Sequence, residues 1–110
     1  MNIQFKKGVL ELCVLALISR REYYGYELVQ SISRSINIAE GTNYPLLRRL
    51  TNEGCFTTSL RESEEGPPRK YYRITEKGRL YKDSLTAEWS SFIKSVSILL
   101  EEGVGAYDQR

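Results

Sequence analysis

Hydrogen-bond donors rather than nucleophiles are what this 110-residue sequence offers chemically. It has no histidine, which removes the commonest general base, the Ser-His and Cys-His nucleophile pairings and most zinc sites. Its two cysteines, Cys13 and Cys55, are too few for a metal cage, and they read as reduced thiols of a cytoplasmic protein. No spacing brings two carboxylates into an obvious acid–base pair, so an enzyme is disfavoured and neither cofactor nor metal is expected. What remains is three small groups of donors: Thr42, Asn43 and Tyr44; the adjacent Arg48 and Arg49; and Arg69 with Lys70. Asn43 can pair with an adenine edge, and Thr42 can meet a base or a phosphate or serve only as a helix cap. On a helix Arg48 and Arg49 point about 100° apart, so at most one faces a base while the other holds phosphate or a surface acid. Arg69 and Lys70 suit backbone or minor-groove contact, or are plain solvated charge. Lys6, Lys7 and Tyr24 are weaker candidates of the same kind.

The elements that must position these groups follow from periodicity. Residues 5–19 read as a helix that is apolar nearly all round, and such a helix must be covered on several sides. Residues 20–23 read as a polar connection. A second helix is expected from about Tyr24 to Ser35, its stripe made by Leu28, Val29 and Ile32. A third begins between Ala39 and Thr42 and stops at Gly54, with Pro45 in its first turn and Leu46, Leu47 and Leu50 on its apolar face. From Phe56 to Arg61 the period changes to two, and it resumes from Arg69 to Ile74. The two runs make a hairpin around a six-residue tip, Ser63 to Pro68, where Glu64 and Glu65 disfavour deep insertion into a groove. Tyr71 and Tyr72 alternate faces, so one packs inward and one stays out.

Thr75 caps a last helix from about Glu76 to Glu102, a rod of about 40 Å, followed by a flexible tail over 104–110. Leu85, Trp89, Phe92, Val96 and Leu99 follow the 4,3,4,3 spacing of a heptad seam. Residues 1–75 thus form one unit and 76–103 a helix that the body cannot cover. No segment is long and apolar enough to span a bilayer, so no membrane partner is expected. Residues 1–80 carry 13 Lys/Arg against 9 Asp/Glu, and 81–110 carry 3 against 5, a mildly basic body that permits a polyanionic partner.

Three helices followed by a two-stranded hairpin is the order of a winged helix-turn-helix, a mainly α (α+β) fold with a long C-terminal helix. Two short helices hold the third outward, where its width fits the major groove of double-stranded DNA. The same architecture also serves as a protein-interaction module without DNA binding, and the order of elements leaves that alternative open. If two chains associate, the last helix of one covers the first and last helices of the other, and the contact closes as a two-fold dimer. Leu12, Leu85, Trp89, Phe92, Val96 and Leu99 are the expected interface, with fold-back of the last helix on its own body as the competing arrangement.

Gly8-Val9-Leu10-Glu11, Tyr24-Gly25-Tyr26-Glu27-Leu28, Gly41-Thr42-Asn43-Tyr44-Pro45-Leu46-Leu47-Arg48-Arg49-Leu50 and Arg69-Lys70-Tyr71-Tyr72-Arg73-Ile74-Thr75 with Gly78 resemble the PadR family of bacterial transcriptional regulators. The likeness spans essentially residues 5–80, and the single last helix resembles the family's shorter variety. It implies homodimeric, mostly repressing DNA-binding proteins, many released by small aromatic or amphipathic compounds, and a two-fold dimer of this kind is expected to bind a pseudo-palindromic operator. Thr51 departs from a frequent acid, and Cys55 from a larger apolar residue, which leaves a redox role for Cys55 open. Trp89, the one tryptophan, has a flat face that can stack on a planar ligand or simply fill the interface. Phe92 and Ile93 would line the same space, with Val14 or Leu10 facing it.

Overall fold

The computed structural model describes residues 3–37 and 41–108. Four helices, α1 (Ile3–Arg20), α2 (Gly25–Ser33), α3 (Asn43–Asn52) and α4 (Glu76–Asp108), combine with strands β1 (Tyr23–Tyr24), β2 (Phe56–Ser63) and β3 (Gly66–Ile74). The expected winged helix is what forms. Leu10, Val14, Leu15 and Ile18 of α1 meet Leu28 and Ile32 of α2, Leu47 and Leu50 of α3, and Phe56, Tyr72 and Ile74 of the sheet in one core. As its apolar composition requires, α1 is covered on more than one side, because α4 packs along it as well.

The short helices α2 and α3 are strongly amphipathic and bury one stripe each. The end of α3 falls where its sequence places it, with Gly54 following at φ 86° as the left-handed C′ residue. The start differs in detail. Thr42 occupies the expected N-cap position, but it has helical dihedrals and makes no side-chain cap bond. The proposed beginning at Ala39 lies outside the described residues.

Three further boundaries differ from expectation. The connection over 20–23 contributes to β1, which pairs antiparallel with β3 through Tyr23↔Tyr72 and Tyr24↔Tyr71 and makes a third strand at β3's other edge. Two residues are too few to show a period, so only the burial of Tyr23 marks them. The hairpin tip is shorter than six residues, because Ser63 pairs with Gly66 and only Glu64 and Glu65 turn. Pro67 and Pro68 are strand residues, opposite Glu62 alone, in a bulge where a missing N–H is tolerated. Finally, α4 runs to Asp108, past the expected end at Glu102, so residues 104–108 of the supposed tail are helical and 109–110 lie outside the described residues. Gly103 and Gly105 do not stop it, since a glycine inside a helix costs about 1 kcal/mol relative to alanine, a penalty rather than a break.

Thr75 is the N-cap expected of it. Its Oγ1 accepts the Gly78 N–H at 3.0 Å and donates to the Gly54 carbonyl at 2.6 Å, fastening the start of α4 to the end of α3. Gly78 completes the contact by having no side chain. A Cβ there would stand 2.3 Å from the Cys55 carbonyl oxygen and 2.7 Å from Ile74 Cγ1. Gly78→Ala is expected to cost about 3 kcal/mol. That corresponds to a fall in melting temperature of about 12–24 °C by calorimetry or circular dichroism; an unchanged melting temperature would show that α4 is not clamped here.

Candidate nucleic-acid interface

Helix α3 has three faces, and they sort the candidate residues. Asn43, Leu47 and Leu50 point into the core. Thr42, Pro45, Leu46 and Arg49 border a hollow on the α1 side, together with Gly8, Leu10 and Glu11. Tyr44, Arg48, Thr51 and Asn52 look toward the hairpin, where Thr58, Lys70 and Tyr72 close a cleft of about 300 Å³. Spacings of four, seven and eight residues from Tyr44 select this third set, as a helix requires.

Asn43 is therefore not available as a base reader: it is 3% exposed, and its Oδ1 is buried without a hydrogen-bond partner. The two arginines divide as their 100° separation demands. Arg49 donates to Glu11 at 2.8 Å and to Glu53 at 3.0 Å, so it holds surface acids. Arg48 is exposed on the cleft and makes no ion pair with a described residue. Tyr44 is 46% exposed and its ring closes on the bare backbone of Gly25, where a Cβ would lie 2.9 Å from Cε1. It thus has both the packing role and a free edge.

A second, larger hollow of about 470 Å³ adjoins β3 beyond its short pairing with β1, bounded by Tyr24, Tyr26, Tyr44, Pro67, Arg69 and Lys70 among others. The Tyr24 ring lies 6.3 Å from that of Tyr26 and 5.6 Å from that of Tyr71, and the Arg69 guanidinium sits 4.6 Å above it. Arg69 is held in place by this cation–π contact while its N–H groups stay exposed. Arg61 lies 4.2 Å over Tyr71 and pairs with Glu22, which also binds Arg73 at 3.0 Å. The Arg61 hydrogen bond, with the charges of Arg61 and Arg73, holds the Glu22 carboxyl below its ordinary value. The pair Tyr71 and Tyr72 divides as expected: Tyr72 is buried edge-on to Phe56, and Tyr71 is on the outer face.

The structure thus brings Tyr44, Arg48 and Lys70 together at one cleft, sets Tyr24 and Arg69 at its neighbour, and leaves Thr42, Asn43 and Arg49 apart. Sequence reasoning missed Tyr26, Thr51, Asn52 and Thr58. Asn52 was open to discovery, being four residues from Arg48. Thr58 pairs across the hairpin with Tyr72, a register no single strand reveals. The side chains of Lys6 and Lys7 lie outside the described residues.

On the far side of α1, Gly8, Val9, Leu12, Leu85, Trp89 and Phe92 line an apolar groove of about 330 Å³. The Trp89 and Phe92 rings are 6.4 Å apart, tilted by 38°. Leu10 and Val14 do not face this groove as expected, being 2% and 0% exposed in the core; Val9 and Leu12 take their place. Burial pushes the Cys55 thiol up, helped by the nearby Glu53 charge, which keeps it protonated and argues against the redox role left open.

A hairpin laid beside an outward-held third helix, with exposed cations on the cleft they share, defines the winged helix-turn-helix class of DNA-binding proteins. Residues 14–83 match the model of the transcriptional regulator PadR-like family. The chain belongs to that family, whose members are DNA-binding transcriptional regulators and not enzymes. It is 40% identical to a PadR-like transcriptional regulator of Bacillus cereus, with 88% of this chain and 96% of that one covered and a TM-score of 0.79. A Streptococcus transcriptional regulator is 35% identical, with 89% and 98% covered and a TM-score of 0.81. An uncharacterized protein of Lysinibacillus sphaericus is 35% identical over 102 residues, 89% of this chain and 93% of its own. No described helix is long and apolar enough to cross a membrane.

Proposed function

We propose that the chain is a cytoplasmic homodimeric repressor that binds a pseudo-palindromic operator and is released by a small aromatic or amphipathic ligand. The observation that carries the DNA side of this reading is the cleft between α3 and the hairpin, where Arg48 and Lys70 stand without ion-pair partners among the described residues. Two cations 22 positions apart, both exposed and converging on one concave surface, suit two phosphates flanking a groove. The α3 helices of a dimer would enter successive major grooves about 34 Å apart, with Tyr44 and Asn52 toward the base edges. Arg69 and Tyr24 would follow the adjoining backbone.

Footprinting on the DNA immediately upstream of its own gene identifies the probe, and anisotropy titration then tests the assignment. Arg48→Ala and Lys70→Ala should each weaken binding and lower the salt slope by about 1 per subunit. Unaltered affinity in both variants would remove the cleft from the interface.

The regulatory half rests on the apolar groove beneath Trp89. A planar ligand there sits between α1 and α4, where it favours a dimer whose α3 helices have the wrong spacing. Trp89, as the one tryptophan, reports occupancy directly. Fluorescence change and operator release should track one another over a ligand titration with the same midpoint; either response without the other would separate the groove from regulation.

A further inference from the structure

Glu11 is the one charged residue between Val9 and Ile18 in an otherwise apolar stretch of α1, and the fold uses it to join three helices. Its Oε1 accepts a hydrogen bond from Arg49 Nη2 of α3 at 2.8 Å and another from Tyr81 Oη of α4 at 2.8 Å. The Glu11 side chain is only 13% exposed, and Arg49 reaches it from a half-exposed position. Tyr81 is pushed up to about 12 by burial and by its bond to Glu11, and so remains a donor at any physiological pH.

We propose that Tyr81 and Glu11 are positioning residues for the recognition helix, a relay through Arg49 that makes the placement of α3 depend on how α4 lies along α1. The geometry gives α3 two attachments to α4. One is the fixed clamp at its C-terminal end, where Thr75 holds Gly54 and Gly78 abuts Cys55. The other is Arg49, about a turn back, reached among the described residues through Glu11. A helix pinned at one end and guided near its middle turns about the pin when the guide moves. Arg49 adjoins Arg48, so such a turn shifts the residue that faces the cleft.

The relay also borders the Trp89 groove. On α1, Gly8 and Leu12 flank Glu11 and line the groove; on α4, Leu85 lies one turn beyond Tyr81 and lines it too. Anything that parts α1 from α4 there draws the Tyr81 hydroxyl away from Glu11. The inference rests on the DNA-binding reading of α3 for its consequence, but its structural content can be measured on the free protein.

The test is amide hydrogen exchange of the intact chain by NMR, comparing wild type with Tyr81→Phe, Arg49→Gln, their double variant and the control Thr86→Ala. Among the described residues Thr86 bonds to its own helix, at the Lys82 carbonyl, so its loss reports local loosening of α4. Tyr81→Phe keeps the ring packing and removes only the donor. Exchange across residues 46–52 of α3 should rise about fivefold or more. The double variant should go no further than Arg49→Gln alone, as expected of groups acting in series. Changes confined to α4, or effects of the two substitutions that simply add, would overturn the relay. Affinity of the same variants for the upstream DNA should fall in step with exchange. If exchange in α3 responds while wild type fails to bind that DNA, the DNA reading falls and the relay stands.

Discussion

Operator affinity should fall by about 10³- to 10⁵-fold when the salt concentration is raised from 50 to 200 mM, if the dimer makes six to ten phosphate contacts. The lower figure follows from the cations the structure leaves available. Arg48, Lys70 and Arg69 are exposed on the α3–hairpin side, and three per subunit make six per dimer. Four other guanidiniums are committed elsewhere. Arg49 holds Glu11 and Glu53, Arg21 holds Glu27, and Arg61 and Arg73 share Glu22. An arginine already paired must give up that partner to take a phosphate, so it adds little to the net release of counterions. Fluorescence anisotropy at four or five salt concentrations gives the slope, expected near −5 for six contacts. A slope near zero would mean that charge neutralisation plays no part, and would return the α3 face to the class of protein-interaction surfaces. A slope near −9 would mean that the paired arginines exchange their acids for phosphates.

That division of the cations shows where the sequence was legible and where it was not. The three helices, the hairpin and the cap at Thr75 follow from local periods and local hydrogen bonds, which a linear chain displays. The separation of Arg48 from Arg49 follows from helical geometry, but which of the two stays free depends on Glu11, 38 residues away and drawn in only when α1 packs across α3. Asn43 misled for a related reason. An asparagine at a helix start suits a base contact by its chemistry, whereas its place on the face of Leu47 and Leu50 turns it inward. Leu10 and Val14 likewise lie on the core side of a helix so uniformly apolar that its sequence gives no side a preference. Pro67 and Pro68 read as a turn because proline removes a ladder donor, and only the bulge opposite Glu62 makes them acceptable in a strand. Each miss is a case of long-range packing choosing among options that local chemistry left equal.

Leu99→Asp should convert the chain to a monomer at micromolar concentration and lower operator affinity by about 10²- to 10⁴-fold, the range lost when two linked half-site contacts become independent. A 33-residue helix extends about 50 Å, and the body covers only its beginning, where Tyr81 and Leu85 pack against the core. Farther along, beyond the groove that Trp89 and Phe92 share with α1, Ile93 (42%), Ile98 (50%), Leu99 (67%) and Leu100 (66%) are exposed to solvent in the single chain. Side chains of that size left uncovered along several turns mark an association surface. The position is chosen because its two possible environments give opposite answers. In a lone subunit Leu99 is already in water, and aspartate there changes stability by about 0.5 kcal/mol or less. In a two-fold interface the same substitution buries two unpaired carboxylates near each other, which neither desolvation nor like-charge repulsion permits. Sedimentation velocity separates the cases, and thermal unfolding adds a second readout, because the melting temperature of a dimer rises with protein concentration and that of a monomer does not. Wild type should sediment as a dimer with a concentration-dependent transition, and the variant as a folded monomer without one. Equal sedimentation of the two, with equal operator affinity, would mean that α4 does not set the distance between the α3 helices.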